Sequence, residues 1–150
     1  MKSKTRIIRT PDKALKKIEE IVKSLKGPDL VKVGLPKGSN DYPDGTSVIM
    51  VGSVHEFGSP SRGIPQRSFL RATLVENKGA YKTLFKNLSK KIIDGDMSKE
   101  EALDFVGATV QGDVISRISE GIPPDLTSRE GTPLIDSGHL RQSITYKVEE

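Results

Sequence analysis

Ser98-Lys99-Glu100-Glu101-Ala102-Leu103-Asp104-Phe105-Val106 opens the stretch that decides the fold, and the same pattern runs on to Gly121. Ser98 followed three residues later by Glu101 is a capping box: the hydroxyl takes the Glu N–H, and the carboxylate takes the Ser N–H. Ala102, Leu103, Phe105, Val106, Val110, Val114 and Ile118 then recur at helical spacing, and Gly121 stops the run ahead of Pro123-Pro124. At 1.5 Å per residue this helix is roughly 34 Å long, enough to cross a domain. Such a helix needs other elements laid along it.

Upstream, Phe69, Leu70, Leu74, Tyr81, Leu84, Phe85, Leu88, Ile92 and Ile93 continue a helical pattern from Ser68 to Asp94-Gly95-Asp96. Gly79 weakens its middle by about 1 kcal/mol relative to Ala, which predicts a bend or break near Asn77–Ala80. Val48 to Val54 is an apolar run whose type periodicity leaves open. Its β-branched residues favour a strand, whereas Thr46 or Ser47 as a cap favours a buried helix, to which the balance leans. Near the start, Thr10 as cap and Pro11 at the first helical position precede Ala14, Leu15, Ile18, Ile21, Val22 and Leu25, and Gly27-Pro28 ends that run. This predicts an amphipathic helix of about sixteen residues with one buried stripe. Leu30–Leu35 and Ser143–Val148 read as strands. The expectation is an α+β fold, three or four helices packed on a small antiparallel sheet. Residues 1–150 form one domain with a basic N-terminal arm (1–9) and three loops expected to be mobile, 36–46, 58–67 and 121–135.

Composition narrows the chemistry. The chain has no Cys, which excludes disulfides, thiolate metal sites and cysteine nucleophiles, and leaves His55 and His139 for imidazole chemistry. No apolar run approaches the ~20 residues of a membrane span. The net charge of +4 is concentrated at the start: residues 1–26 hold nine Lys/Arg against three Asp/Glu, and the remainder fifteen against seventeen. Lys2, Lys4, Arg6, Arg9, Lys13, Lys16 and Lys17 are therefore the candidate DNA-facing residues. They support an alternative reading, a small nucleic-acid-binding protein using this arm and first helix, weighed against a solvated helix face.

Catalytic and metal patterns fit poorly. His55-Glu56 resembles the start of a zinc-protease helix, but Ser59 stands where the second His is required. Asp94, Asp96 and Ser98 alternate like a calcium loop, yet Phe105 occupies the closing Glu position. Gly34-Leu35-Pro36-Lys37-Gly38-Ser39 lacks the ending of a phosphate loop. Asp136-Ser137-Gly138-His139 places three triad residue types side by side, where neighbours in a turn do not point at one another. The expectation is no enzyme, no cofactor and no metal.

Three segments taken in order carry a resemblance. They are Val54-His55-Glu56-Phe57-Gly58, then Ile64-Pro65-Gln66-Arg67-Ser68-Phe69-Leu70-Arg71, then Pro133-Leu134-Ile135-Asp136-Ser137-Gly138-His139-Leu140-Arg141-Gln142-Ser143-Ile144. The set resembles the tail-completion and virion-morphogenesis proteins of long-tailed bacteriophages and prophages, over roughly residues 30–148. Ser137 replaces a commoner Thr, and Ser68 a frequent Pro. The resemblance implies a non-enzymatic structural protein of the head–tail junction or tail terminus. It implies assembly in the bacterial host cytoplasm into a homo-oligomeric ring of the virion, commonly six-fold, between connector and tail-tube proteins, with DNA in the lumen and no membrane. His55, Glu56, Phe57, Gly58, Pro65, Arg67, Phe69, Leu70, Asp136, Ser137, Gly138 and Leu140 are its interface or motif candidates. For the first two segments, fixing a turn and direct subunit contact stand level. Gly58 is expected at positive φ, Phe69-Leu70 in the core, and Asp136 or Ser137 as the cap of a short helix that buries Leu140 and Ile144. The polar loops are expected to order against neighbours, leaving the isolated chain monomeric with protease-sensitive loops.

Overall fold

A computed structural model describes residues 12–39, 41–126 and 131–149. The arm 1–9, the cap pair Thr10-Pro11, Asn40 and residues 127–130 of the third loop lie outside the described residues.

The chain runs α1 (Asp12–Ser24), β1 (Leu30–Gly34), α2 (Val48–Phe57), α3 (Leu70–Glu76), α4 (Lys78–Asp94), α5 (Lys99–Glu120), α6 (His139–Gln142) and β2 (Thr145–Glu149). This is an α+β fold, with, among the described residues, four α-helices of ten or more residues, two shorter ones and a two-stranded antiparallel sheet. The strands pair Leu30 with Glu149 through Gly34 with Thr145, so the sheet joins the segment after α1 to the segment after α6.

Helix α5 is the spine. Its capping box is made as read: Ser98 Oγ accepts from Glu101 N at 3.1 Å, and Glu101 Oε2 accepts from Ser98 N at 2.8 Å. The sheet lies along α5, and α3, α4 and α6 pack on it too. Ala102, Val106, Val110, Val114 and Ile118, one stripe along it, are buried with Val48, Phe69, Leu88, Ile92, Ile122, Leu140 and Ile144. The sheet approaches closely because Gly107 has no side chain. A Cβ there would sit 2.7 Å from Tyr146 Cγ, and the Tyr146 hydroxyl donates to Asp104 Oδ1 at 2.9 Å. Gln111 Nε2 donates to Ile144 O at 2.8 Å and ties α5 to the start of β2.

The break between α3 and α4 falls at Asn77, inside the range the sequence predicts. The open question at 48–54 resolves as helix α2, but Ser47 makes no side-chain cap. Asp41 Oδ1 instead accepts from Val48 N at 3.1 Å.

One expectation is overturned. Helix α1 has its apolar stripe, but no residue of it is buried. Leu15, Ile18, Val22 and Leu25 are each about half exposed, at 50–55%. Only α4 packs closely against α1, and Ile21 is the half-buried member, beside Ile92 and Ile93. Amphipathic spacing says which face is apolar, not what lies opposite it. Among the described residues nothing covers the rest of that face.

Candidate functional site

The first motif segment forms the end of α2, where Glu56 is 4% exposed. A buried carboxylate is costly unless its oxygens are filled by donors. Here they are filled by the second motif segment. Oε2 accepts from Phe69 N at 2.8 Å and Leu70 N at 2.9 Å; Oε1 accepts from Ser68 Oγ at 2.7 Å, Arg71 N at 3.1 Å and Arg71 Nε at 2.9 Å. The end N–H groups of α3, which have no partner within their own helix, thus find one in Glu56. Burial works to raise the carboxyl, but Leu70 N–H, Ser68 and Arg71 outweigh it and hold it below the usual carboxylate range. Arg71 also donates to Glu56 O at 3.0 Å, and its guanidinium lies 4.6 Å above the Phe57 ring.

Between the two segments the chain doubles back. Gly58 has φ +76°, as expected, and a Cβ there would lie 3.0 Å from Gln66 N. Ser59 pairs with Ile64 around a single 3-10 turn, Pro60–Arg62. Gln66 Nε2 donates to Glu56 O at 3.1 Å, and Arg67 N to His55 O at 2.7 Å. Residues 58–67 are therefore a bonded hairpin-like turn, with Pro65 exposed on its return.

Arg67 turns inward and is 5% exposed. Its Nε and Nη2 donate to Pro124 O at 3.0 and 2.6 Å, and Nη2 also approaches Asp125 O at 3.4 Å. The second motif thereby holds the chain that leaves α5. His55, the residue before Glu56, has a buried Nδ1 with no hydrogen-bond partner among the described residues. Burial, and then the charge of Arg67, push the imidazole below its ordinary pKa, so it is neutral at pH 7.

The third segment meets the same place. His55 and Arg67 line a cleft of about 410 Å³ together with Asp136, Ser137, Gly138 and Leu140. All three motif segments, separate in sequence, therefore converge on one cleft. Within the third, Leu140 and Ile144 are buried at 2% and 1%. The cap differs from expectation. Gly138, at φ +77°, occupies the N-cap of α6, and neither Asp136 nor Ser137 holds that position. Ser137 Oγ accepts instead from His139 N at 3.3 Å. The His139 ring lies outside that lining, 4.6 Å from the ring of Tyr42.

Of the other sequence candidates, Phe69 is 1% exposed and Leu70 packs partly buried against the core. Lys13, Lys16 and Lys17 are exposed on α1, while Lys2, Lys4, Arg6 and Arg9 lie outside the described residues. Among the described residues no group of three His, Asp or Glu could hold a metal ion, and no helix is long and apolar enough to cross a membrane. Asp136, Ser137 and His55 share the cleft, but no hydrogen bond joins Ser137 to His55. A comparison with family models, curated proteins and solved structures gives no match.

Proposed function

We propose that the chain is a structural protein of the phage head–tail junction or tail terminus, acting in tail completion through ring-forming contacts between its copies. One observation carries the reading: α1 and the turn residue after it present Leu15, Ile18, Val22 and Leu25 half exposed along a helix whose other face is charged. A row of four large aliphatic side chains left open to water marks a surface meant for a partner. A ring closes by a heterologous contact, one patch on a different patch of the next copy, and a single exposed helix face suits that geometry. The motif residues serve the scaffold in this reading. Glu56 and Arg67 lock α2, α3 and the exit of α5 together, and α1 packs on α4 apart from those locks.

The experiment is electron microscopy of particles made in a host lacking the gene. Full heads and separate tails are expected, with joining restored by the wild-type gene. Intact, infectious virions without the chain would end the proposal.

Lys13, Lys16 and Lys17, all exposed on α1, favour a second reading in which this helix contacts nucleic acid. Its mark is affinity for duplex DNA that falls steeply as salt rises, since phosphate contacts release counterions. Absence of a mobility shift at low salt removes it.

A further inference from the structure

We infer that the cleft between the three motif segments is a receptor for a carboxylate carried on a short aliphatic stem, with Arg67 as its anchor. The inference does not rest on the ring reading. It starts from an incompletely answered charge. Arg67 is 95% buried by its 5% exposure and makes no ion pair among the described residues. Among the described residues its guanidinium is compensated by the carbonyls of Pro124 and Asp125 alone. Those bonds use Nε and Nη2. Nη1, with two further N–H groups, has no protein partner among the described residues, and Arg67 lines the cleft. A buried cation satisfied by dipoles on one edge and open on the other is a site where an anion gains a desolvated, charge-assisted pair.

The rest of the cleft selects the anion. Val51, Leu126, Leu134 and Leu140 give it apolar walls suited to methylene groups. Asp44 and Asp136 stand on its lining as well, and the Tyr42 hydroxyl beside them is pushed up by burial and by those two carboxylates. His55, in contrast, feels the charge of Arg67. The lining therefore carries the Arg67 guanidinium together with the carboxylates of Asp44 and Asp136. A phosphate dianion meets more repulsion from these carboxylates than a monoanion does, and a single carboxylate reaches Arg67 with its stem along the aliphatic wall. A volume of about 410 Å³ accommodates such a group with water. Arg67 is held in advance by its own N–H on His55 O at 2.7 Å, so little ordering remains to be done on binding. This chemistry belongs equally to a free aliphatic acid and to a Glu side chain of another copy, and the test separates them.

The probe is sodium butyrate, titrated into the full chain while the Arg67 Nε–Hε resonance and the Val51 and Leu140 methyls are followed by NMR. Expected is a saturable shift at all three, with a Kd in the millimolar range. Butyramide, the same shape without the charge, is expected to leave them in place, and inorganic phosphate to bind less tightly than butyrate. Dilution of the protein alone moves the same signals if a neighbouring copy supplies the carboxylate, and leaves them still if the source is a free acid; butyrate shifts them in either case. Because Arg67 also holds the chain after α5, Val51→Asp is the second variant. It keeps the guanidinium and places a competing carboxylate on the wall, and it should abolish the butyrate shift in a folded protein. Equal shifts with butyrate and butyramide, tighter binding of phosphate, no butyrate shift in the wild type, or an undiminished shift in folded Val51→Asp would each overturn the assignment.

Discussion

Glu56 ties two elements together, because one carboxylate closes α2 and opens α3. Glu56→Ala strands the Phe69, Leu70 and Arg71 N–H groups and the Ser68 hydroxyl in a buried place. The expected loss is about 3 kcal/mol of unfolding free energy, measured by urea titration, since each orphaned buried donor costs 1–3 kcal/mol and some recover water. Acid sensitivity follows from the same corner. The His55 pKa is lowered on folding, so the unfolded chain takes the proton first, and stability declines as pH falls from about 6.5 through the folded value. The Glu56 pKa is lowered too, so its contribution is full above about pH 4.3 and is lost as pH falls further. A urea series from pH 7.5 to pH 3.5 should therefore show two successive losses, and His55→Gln should remove the upper one alone. A flat profile above pH 5 in the wild type would contradict the assignment of a neutral buried imidazole. Little of this corner could be read from sequence. Gly58 could, since an exit turn after a helix demands positive φ. The partners of Glu56 could not, because three of them are main-chain N–H groups thirteen to fifteen residues on, and backbone donors carry no residue identity. Arg67 was hidden likewise by its carbonyl partners.

At the scale of elements, α5 was legible because its ends and its stripe are local signals: a capping box, a period and a glycine stop. Helix α2 was ambiguous because apolar residues surround it, and its inward positions Val48, Gly52 and Glu56 end on a charged residue. The stripe of α1 was legible as a stripe and misjudged as buried, since its cover is a matter of tertiary structure. That difference gives paired expectations. Gly107→Ala drives a methyl into the Tyr146 ring and should cost roughly 1–3 kcal/mol through overpacking, with the β1–β2 sheet lifted from α5. Ile18→Asp touches only a half-exposed site and should change monomer stability by no more than about 0.5 kcal/mol. The same substitution should nevertheless stop tail completion in a complementation assay. Were Ile18→Asp as destabilising as a core substitution, or fully active in assembly, α1 would not be the contact helix.

For the molecule as a whole, the two paired strands lie on α5, and the motif cleft lies between α2 and α6, which also packs on α5, so the sheet and the cleft share one spine. The α1 face stands apart from both, attached through α4. A body of this kind can offer α1 to one neighbour without disturbing the Glu56 and Arg67 locks, as a repeated subunit requires. Reconstruction of the intact head–tail junction by cryo-electron microscopy tests that arrangement most directly. It is expected to show a closed ring of subunits that fit this fold, with Leu15, Ile18, Val22 and Leu25 of each covered by the next copy. A junction built without the chain, or a ring in which that face of α1 looks into solvent, would contradict it.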